Sequence, residues 1–234
     1  MRKDNSHFEH CITVLSRSPL FEKLDIDLLE DMLELFQYET RLKGEAAISP
    51  QQASDRFYII INGQAKVSIY NPDNGREHIL FLLESGDSFD LISLLDDEWQ
   101  EAVATALSNM EVLSTTVQQA RTWIEQHPEF NRNFLPYLGK QMYGLANQAA
   151  ELSLYDTEVR LSRLILRNLV EDKTPNEIRI INDLSQETIA SMIGSVRVVI
   201  ARHLQNWKHK KIISGKRGHW SILDLQALLN KTKK

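Results

Sequence analysis

The 234-residue sequence predicts an α+β chain: an N-terminal antiparallel β-roll with flanking helices, then a long helix, then a C-terminal winged helix-turn-helix. Three observations carry this. Between about Thr40 and Val117, short apolar or alternating runs are broken by Gly, Pro and Asn, as in antiparallel rolls and barrels. From Leu135 to Leu152, apolar residues recur at spacings of three and four. From Leu184 to Leu204, two short amphipathic segments meet at Gly194.

Taken in order, Phe8 to about Phe36 reads as helical, with Leu28, Leu29, Met32, Leu33 and Phe36 at helical spacing. Phe57–Ile61 is a buried strand ending at Asn62-Gly63. Gln64–Tyr70 alternates, Asn71–Gly75 is a hairpin turn, and His78–Leu83 returns, which is the repeat of a cupin-like jelly roll. No Gly-rich phosphate loop leads from a strand into a helix. Gln118–Gln126 is a helix, His127-Pro128 breaks it, and a longer helix runs to about Leu154, with Pro136 marking its first turn or a kink. Leu135, Leu138, Met142, Leu145, Ala149 and Leu152 form a heptad seam on that helix, suited to a dimer interface with a second copy of the chain. Gly139 and Gly144 let a neighbouring helix approach closely. The expected divisions are a β-roll domain over 1–127, which the family resemblance given below makes a sensor, a dimerisation helix over 128–154 and a winged helix-turn-helix, DNA-binding domain over 155–234.

Asp156 is a candidate N-cap for an amphipathic helix reaching Val170, and Ile178–Ile181 is a short strand. Ile189, Ala190 and Ile193, then Ile200 and Leu204, place one buried stripe on each half of the helix-turn-helix. Ser185 and Ser195 are N-cap candidates, and Gly194 frees the turn. A second helix of this kind enters the DNA major groove N-terminus first. Ile212–Leu223 is a basic-tipped hairpin, a wing, with Lys216 and Arg217 placed to meet phosphate. The expected contacts to double-stranded DNA are therefore Gln186, Ser195, Val196, Arg197, Val198, Arg202, Lys216 and Arg217.

A net charge of −5 looks wrong for such a partner until the chain is divided. Residues 155–234 hold 15 Lys and Arg against 8 Asp and Glu, a net of +7, and residues 1–154 carry −12. The basic part is the part with the helix-turn-helix, whereas a plain helical hairpin has no need of that charge. The single cysteine, Cys11, allows neither an internal disulfide nor an iron–sulfur cluster. With no apolar leader and no apolar run long enough to span a bilayer, the expectation is a soluble protein of a reducing cytoplasm with no membrane partner.

Together, Phe57–Gly63 followed by Asn74-Gly75-Arg76, Gly86–Phe89 with Ile92–Leu95, Asp156–Leu166 and Gly194–Leu204 resemble the Crp/Fnr superfamily of bacterial transcription regulators. The resemblance covers nearly the whole chain. It implies a homodimer with an effector-binding roll, a palindromic operator and RNA polymerase as a partner. It also implies base-reading roles for Arg197 and Arg202, because Arg donates bidentately to guanine O6 and N7. Many members carry Glu beside the first Arg, to accept from cytosine. Here Val198 stands there and offers only an apolar contact to a thymine methyl. In this respect Ser195–Val198 is similar to the nitrogen-control branch.

The roll departs from the family's cyclic-nucleotide binders. Their Gly-Glu pair grips the ribose and their Arg-Ser pair neutralises the phosphate. The resemblance places Asp90-Leu91 and Gln100-Glu101 at those positions, beside Phe89. A phosphate buried there would lack its cation and meet a carboxylate, which disfavours cyclic AMP or GMP. The small-molecule effector is thus left unnamed. Haem, bound by some relatives, has candidate ligands in His7, His10, His78 and His127, although surface or hydrogen-bonded histidines fit these positions better. The acidic Asp96-Asp97-Glu98 and Glu101 argue against a dicarboxylate such as 2-oxoglutarate. No nucleophile elbow or zinc-protease motif points to an enzyme. An interaction module without DNA binding would need neither the helix-turn-helix nor the basic C-terminal part.

Overall fold

The computed structural model describes residues 1, 5–46, 55–89, 91–95, 102–171, 178–180, 184–216 and 219–233. By internal contacts the chain forms two units, Met1–Gly75 with Leu80–Tyr143, and Arg76–Ile79 with Gly144–Lys234.

The first unit opens with α1 (Phe8–Leu15) and α2 (Ile26–Glu34). The single helical stretch expected over Phe8–Phe36 is therefore two helices, interrupted where Pro19 disfavours helix for the residue before it. The strands β1 (Gln37–Arg41), β2 (Arg56–Asn62), β3 (Ala65–Tyr70), β4 (Glu77–Leu83) and β5 (Ser88–Phe89) follow. After them come α3 (Leu91–Leu95), β6 (Val103–Ala106), β7 (Met110–Thr116) and α4 (Val117–Gln126). The strands make two antiparallel sheets, ordered β1-β7-β2-β5 and β4-β3-β6. Thr116 caps α4 in a reciprocal capping box with Gln119.

The unbroken apolar run of β2 is explained by burial on both faces. Phe57, Ile59 and Ile61 join the core formed with α1, α2 and α4. Tyr58 and Ile60 point the other way, into a roll core with Val67, Leu83, Phe89, Ala104, Met110 and Val112. Strand alternation sends successive side chains to opposite faces, so a strand covered on both sides reads as continuous hydrophobicity. At Gly63, φ is +95° and a Cβ would lie 2.5 Å from the Asn109 carbonyl, so the turn after β2 requires glycine.

A 3-10 turn at Pro128–Phe130 leads into α5 (Asn131–Leu154). Pro136 lies inside this helix, past its first turn, where its ring removes one backbone donor without ending the helix. The second unit continues with α6 (Thr157–Arg167), β8 (Leu169–Glu171), β9 (Ile178–Ile180), α7 (Gln186–Met192), α8 (Arg197–His209), β10 (Ile213–Lys216), β11 (His219–Ile222) and α9 (Leu225–Asn230). The helix expected to reach Val170 stops at Arg167, because Leu169 to Glu171 pair with β9. The resulting sheet runs β10-β11-β9-β8. None of the described helices is long and apolar enough to cross a membrane.

Candidate nucleic-acid interface and effector roll

The Ser185 side chain accepts from the Thr188 N–H and starts α7, as its position predicts. Ile189 and Ala190 are buried, as are Ile200, Leu204 and Trp207 on α8, so the two helices meet along the expected stripes. Trp207 is 0% exposed, and its indole N–H donates to Glu158 Oε1 at 2.9 Å. Lys231 Nζ lies 2.9 Å from the same oxygen. Burial alone would raise the Glu158 carboxyl, but the hydrogen bonds from Trp207 and Lys231 outweigh it and hold the group below its usual range. Glu158 on α6 thus anchors α8 at a fixed angle, and Asp156 caps α6 by accepting from the Val159 N–H.

The turn between α7 and α8 is tight. Gly194 has φ +61°, and a Cβ there would sit 2.6 Å from Leu152 Cδ2. The Ser195 N–H is spent on the Ala190 carbonyl. This corrects one expectation: Ser195 belongs to the turn, and the residue that precedes α8 in extended conformation is Val196, which offers no capping side chain. It also qualifies the seam, because Leu152 at its C-terminal end packs on the turn of the helix-turn-helix.

Three side chains, none of them assigned this role by sequence spacing, bond carbonyls at this turn. Arg76 Nη2 donates to the Gly194 carbonyl at 2.8 Å, and His78 Nδ1 lies 2.9 Å from the Ser191 carbonyl. Gln148 Nε2 donates to the carbonyls of Ile79 and Met192 at 3.1 and 3.2 Å. His78 is thus a hydrogen-bonded histidine. His127 similarly sets Nδ1 against the Trp123 carbonyl, and His7 stacks on Tyr38. Among the described residues no group of three or more His, Cys, Asp or Glu is arranged to hold a metal ion.

Of the residues expected to meet DNA, Val196, Arg197, Val198 and Arg202 are exposed, while Gln186 and Ser195 are half-buried. Val198, Arg202, Gln205 and His209 share one side of α8, opposite buried Ile200, Leu204 and Trp207. The wing is present as β10 paired with β11, and Lys208 Nζ ties it to α8 by donating to the Gly215 carbonyl at 3.1 Å. Lys216 ends β10, and Arg217 lies outside the described residues.

On α5, Leu135, Met142 and Ala149 of the seam are exposed, and Leu138 and Leu145 are half-buried. In the roll, Phe89 and Leu91 are buried, whereas Asp90, Gln100 and Glu101 lie outside the described residues. The Tyr137 hydroxyl donates to Asp87 Oδ1 at 3.2 Å, joining α5 to the start of β5. Burial raises the Asp87 carboxyl above its usual range. Cys11 is fully buried and its thiol is pushed up to about 11, chiefly by desolvation, which leaves it a poor nucleophile.

Comparison with known proteins matches this architecture. The Crp-like helix-turn-helix domain family matches residues 159–231, and the cyclic nucleotide-binding domain family matches residues 39–127. A CRP-like cAMP-activated global transcriptional regulator of Mycobacterium tuberculosis is 26% identical over 199 residues, covering 84% of this chain and 88% of the relative. A global nitrogen regulator of Synechocystis is 26% identical over 201 residues, covering 83% and 86%. The structure of a CooA mutant from Carboxydothermus hydrogenoformans shares the fold, with TM-score 0.73 at 21% identity, covering 87% of this chain and 90% of that one. The reading helix, its wing, the roll before them and these matches place the chain in the Crp/Fnr family of DNA-binding transcription regulators.

Proposed function

We propose that the chain acts in the cytoplasm as a homodimer that reads a palindromic operator under control of an effector other than a cyclic nucleotide. Residues 1–127 would sense the effector, 128–154 would dimerise, and 155–234 would read DNA, with RNA polymerase as the protein partner. The carrying observation is the outward row of α8, on which Arg202 stands exposed with Arg197 beside it, braced from behind by Glu158 and Trp207. The exposed seam residues of α5 support pairing with a second copy, which sets two such helices at half-sites about one DNA turn apart. The effector reading rests on charge. From Asp87 to Ala102 the chain has six carboxylates and no Lys or Arg, leaving a cyclic phosphate no cation in that segment. A relative's name ties it to cAMP, but this segment does not support carrying that ligand over.

The test is selection from a random duplex pool, followed by titration of the selected duplex at increasing salt. The expected result is a palindromic site bound with a steep negative salt slope. Cyclic AMP should leave that affinity unchanged. Enrichment of no sequence would overturn the DNA reading, and a large cAMP response would overturn the effector reading.

A further inference from the structure

The C-terminal end of α7 is closed by side chains from outside its own hairpin. The last carbonyls of a helix have no partner within it. In α7 the Ile189 carbonyl accepts from the Ile193 N–H, and that of Ala190 from the Ser195 N–H. The carbonyls of Ser191, Met192 and Gly194 instead meet His78, Gln148 and Arg76, which lie 113, 44 and 118 residues away along the chain. A carbonyl only accepts, so the His78 ring nitrogen facing it carries the hydrogen. Gln148 donates to the Ile79 carbonyl as well, so one amide ties α5, β4 and α7 together. Leu152, one turn beyond Gln148 on α5, lies against Gly194. All of these residues belong to the second unit.

These bonds end on backbone and cover none of the side chains on the outward side of the hairpin. Val196, Arg197, Val198 and Arg202 stay exposed, so the contact is no lid over them. What it fixes is the angle at which the helix-turn-helix leaves α5. The same turns of α5 carry Leu145 and Ala149 of the seam, so in a paired molecule that angle sets the distance between two reading helices. We infer that Gln148, with His78 and Arg76, forms a clasp that positions α7 and α8 on α5 and thereby fixes the half-site spacing the dimer accepts. This rests on the dimeric DNA-reading role proposed above. The three are positioning residues: they act through α7 and touch no base. Inserting one base pair between half-sites turns one against the other by about 34° and shifts it by about 3.4 Å. A dimer can follow that change only by breaking its clasps, so their strength appears as discrimination between spacings. Each hydrogen bond is worth about fivefold in an equilibrium constant.

The experiment uses the full chain, the duplex selected from the random pool, and the same duplex with one base pair added or removed at its centre. Gln148→Met keeps the length of the side chain and removes its donors. Its affinity for the selected duplex should fall at least about fivefold, because the reader must then be ordered on binding. Its penalty for the altered spacings should also shrink at least about fivefold, because that part of the clasp is no longer there to break. His78→Ala should act in the same direction to a smaller extent. Circular dichroism would verify that both variants are folded. Weaker binding with an undiminished spacing penalty would make these contacts merely stabilising and overturn the inference, as would unchanged or tighter binding. Absence of any selected site would overturn the DNA reading itself.

Discussion

Arginines on the β1–β7–β2 sheet and arginines on α8 are used in opposite ways. Arg56 donates to Ser114 Oγ at 2.6 Å and Gln37 Oε1 at 3.2 Å, and lies 3.7 Å from Glu39. Glu39 is further held by Arg41 and Ser114, and these bonds keep its carboxyl below the usual range although burial opposes them. That cluster satisfies itself. Arg197 and Arg202 are exposed and bond to no described residue, so their fixed forks of donors remain open. A charge closed on its own sheet serves the fold, whereas a charge held out on a braced helix is available to a ligand.

Paired substitutions test this contrast. Arg197→Ala should cost about 100-fold or more in affinity for the selected operator, as loss of a bidentate base contact in each half-site requires, with an unchanged urea midpoint. Arg56→Ala should do the reverse, losing about 1–2 kcal/mol of stability with folded-state DNA affinity intact. If the effects swap columns, the contrast is wrong. Exposure as a mark of use extends to α5. Met142→Glu, which would bury a carboxylate in the paired seam, should weaken self-association about 100-fold or more by analytical ultracentrifugation. A dimer of undiminished strength would show that Met142 lies outside the interface.

Smaller effects probe the brace behind the exposed arginines. Gly194→Ala forces a side chain into left-handed backbone against Leu152, and about 1–3 kcal/mol of stability should be lost in the second unit. Unchanged hydrogen-exchange protection of α7 and α8 would contradict that. Glu158→Gln should cost about 1 kcal/mol at neutral pH. Since the folded Glu158 carboxyl lies below its unfolded value, its contribution is present above the unfolded pKa and fades as pH falls through the folded one. The gap between wild type and Glu158→Gln should therefore close in acid, and a gap independent of pH would remove the charge from the account. Last, the native Cys11 thiol should resist alkylation at pH 8 and react fully in denaturant; rapid native labelling would contradict its burial.

Much of this was legible in local spacing. The caps at Ser185 and Asp156, the buried stripes of α7 and α8 and the wing each depend on residues within a few positions of one another, and helical or strand periodicity records them directly. Ser195 fits a cap by type and spacing, but α8 starts at Arg197 and its N-cap position is Val196, a one-residue shift set by the turn in which the Ser195 N–H bonds the Ala190 carbonyl. Val170 continues the helical spacing of α6, but it pairs with Arg179 on β9, a partner beyond helical range.

The sequence alone therefore determined the order of elements, the opposite net charges of the two parts, the helix-turn-helix and the absence of Lys and Arg from Asp87 to Ala102, since composition and short-range pattern suffice for these. Only the tertiary structure decided that Arg76 reaches Gly194 across 118 residues, that Gln148 and His78 meet the carbonyls of Met192 and Ser191, and that Glu158 bridges Trp207 and Lys231. It also decided that Val196 and Val198 stand in water. Such partners are chosen by chain folding over long separations, where no periodic signal runs from one residue to the other.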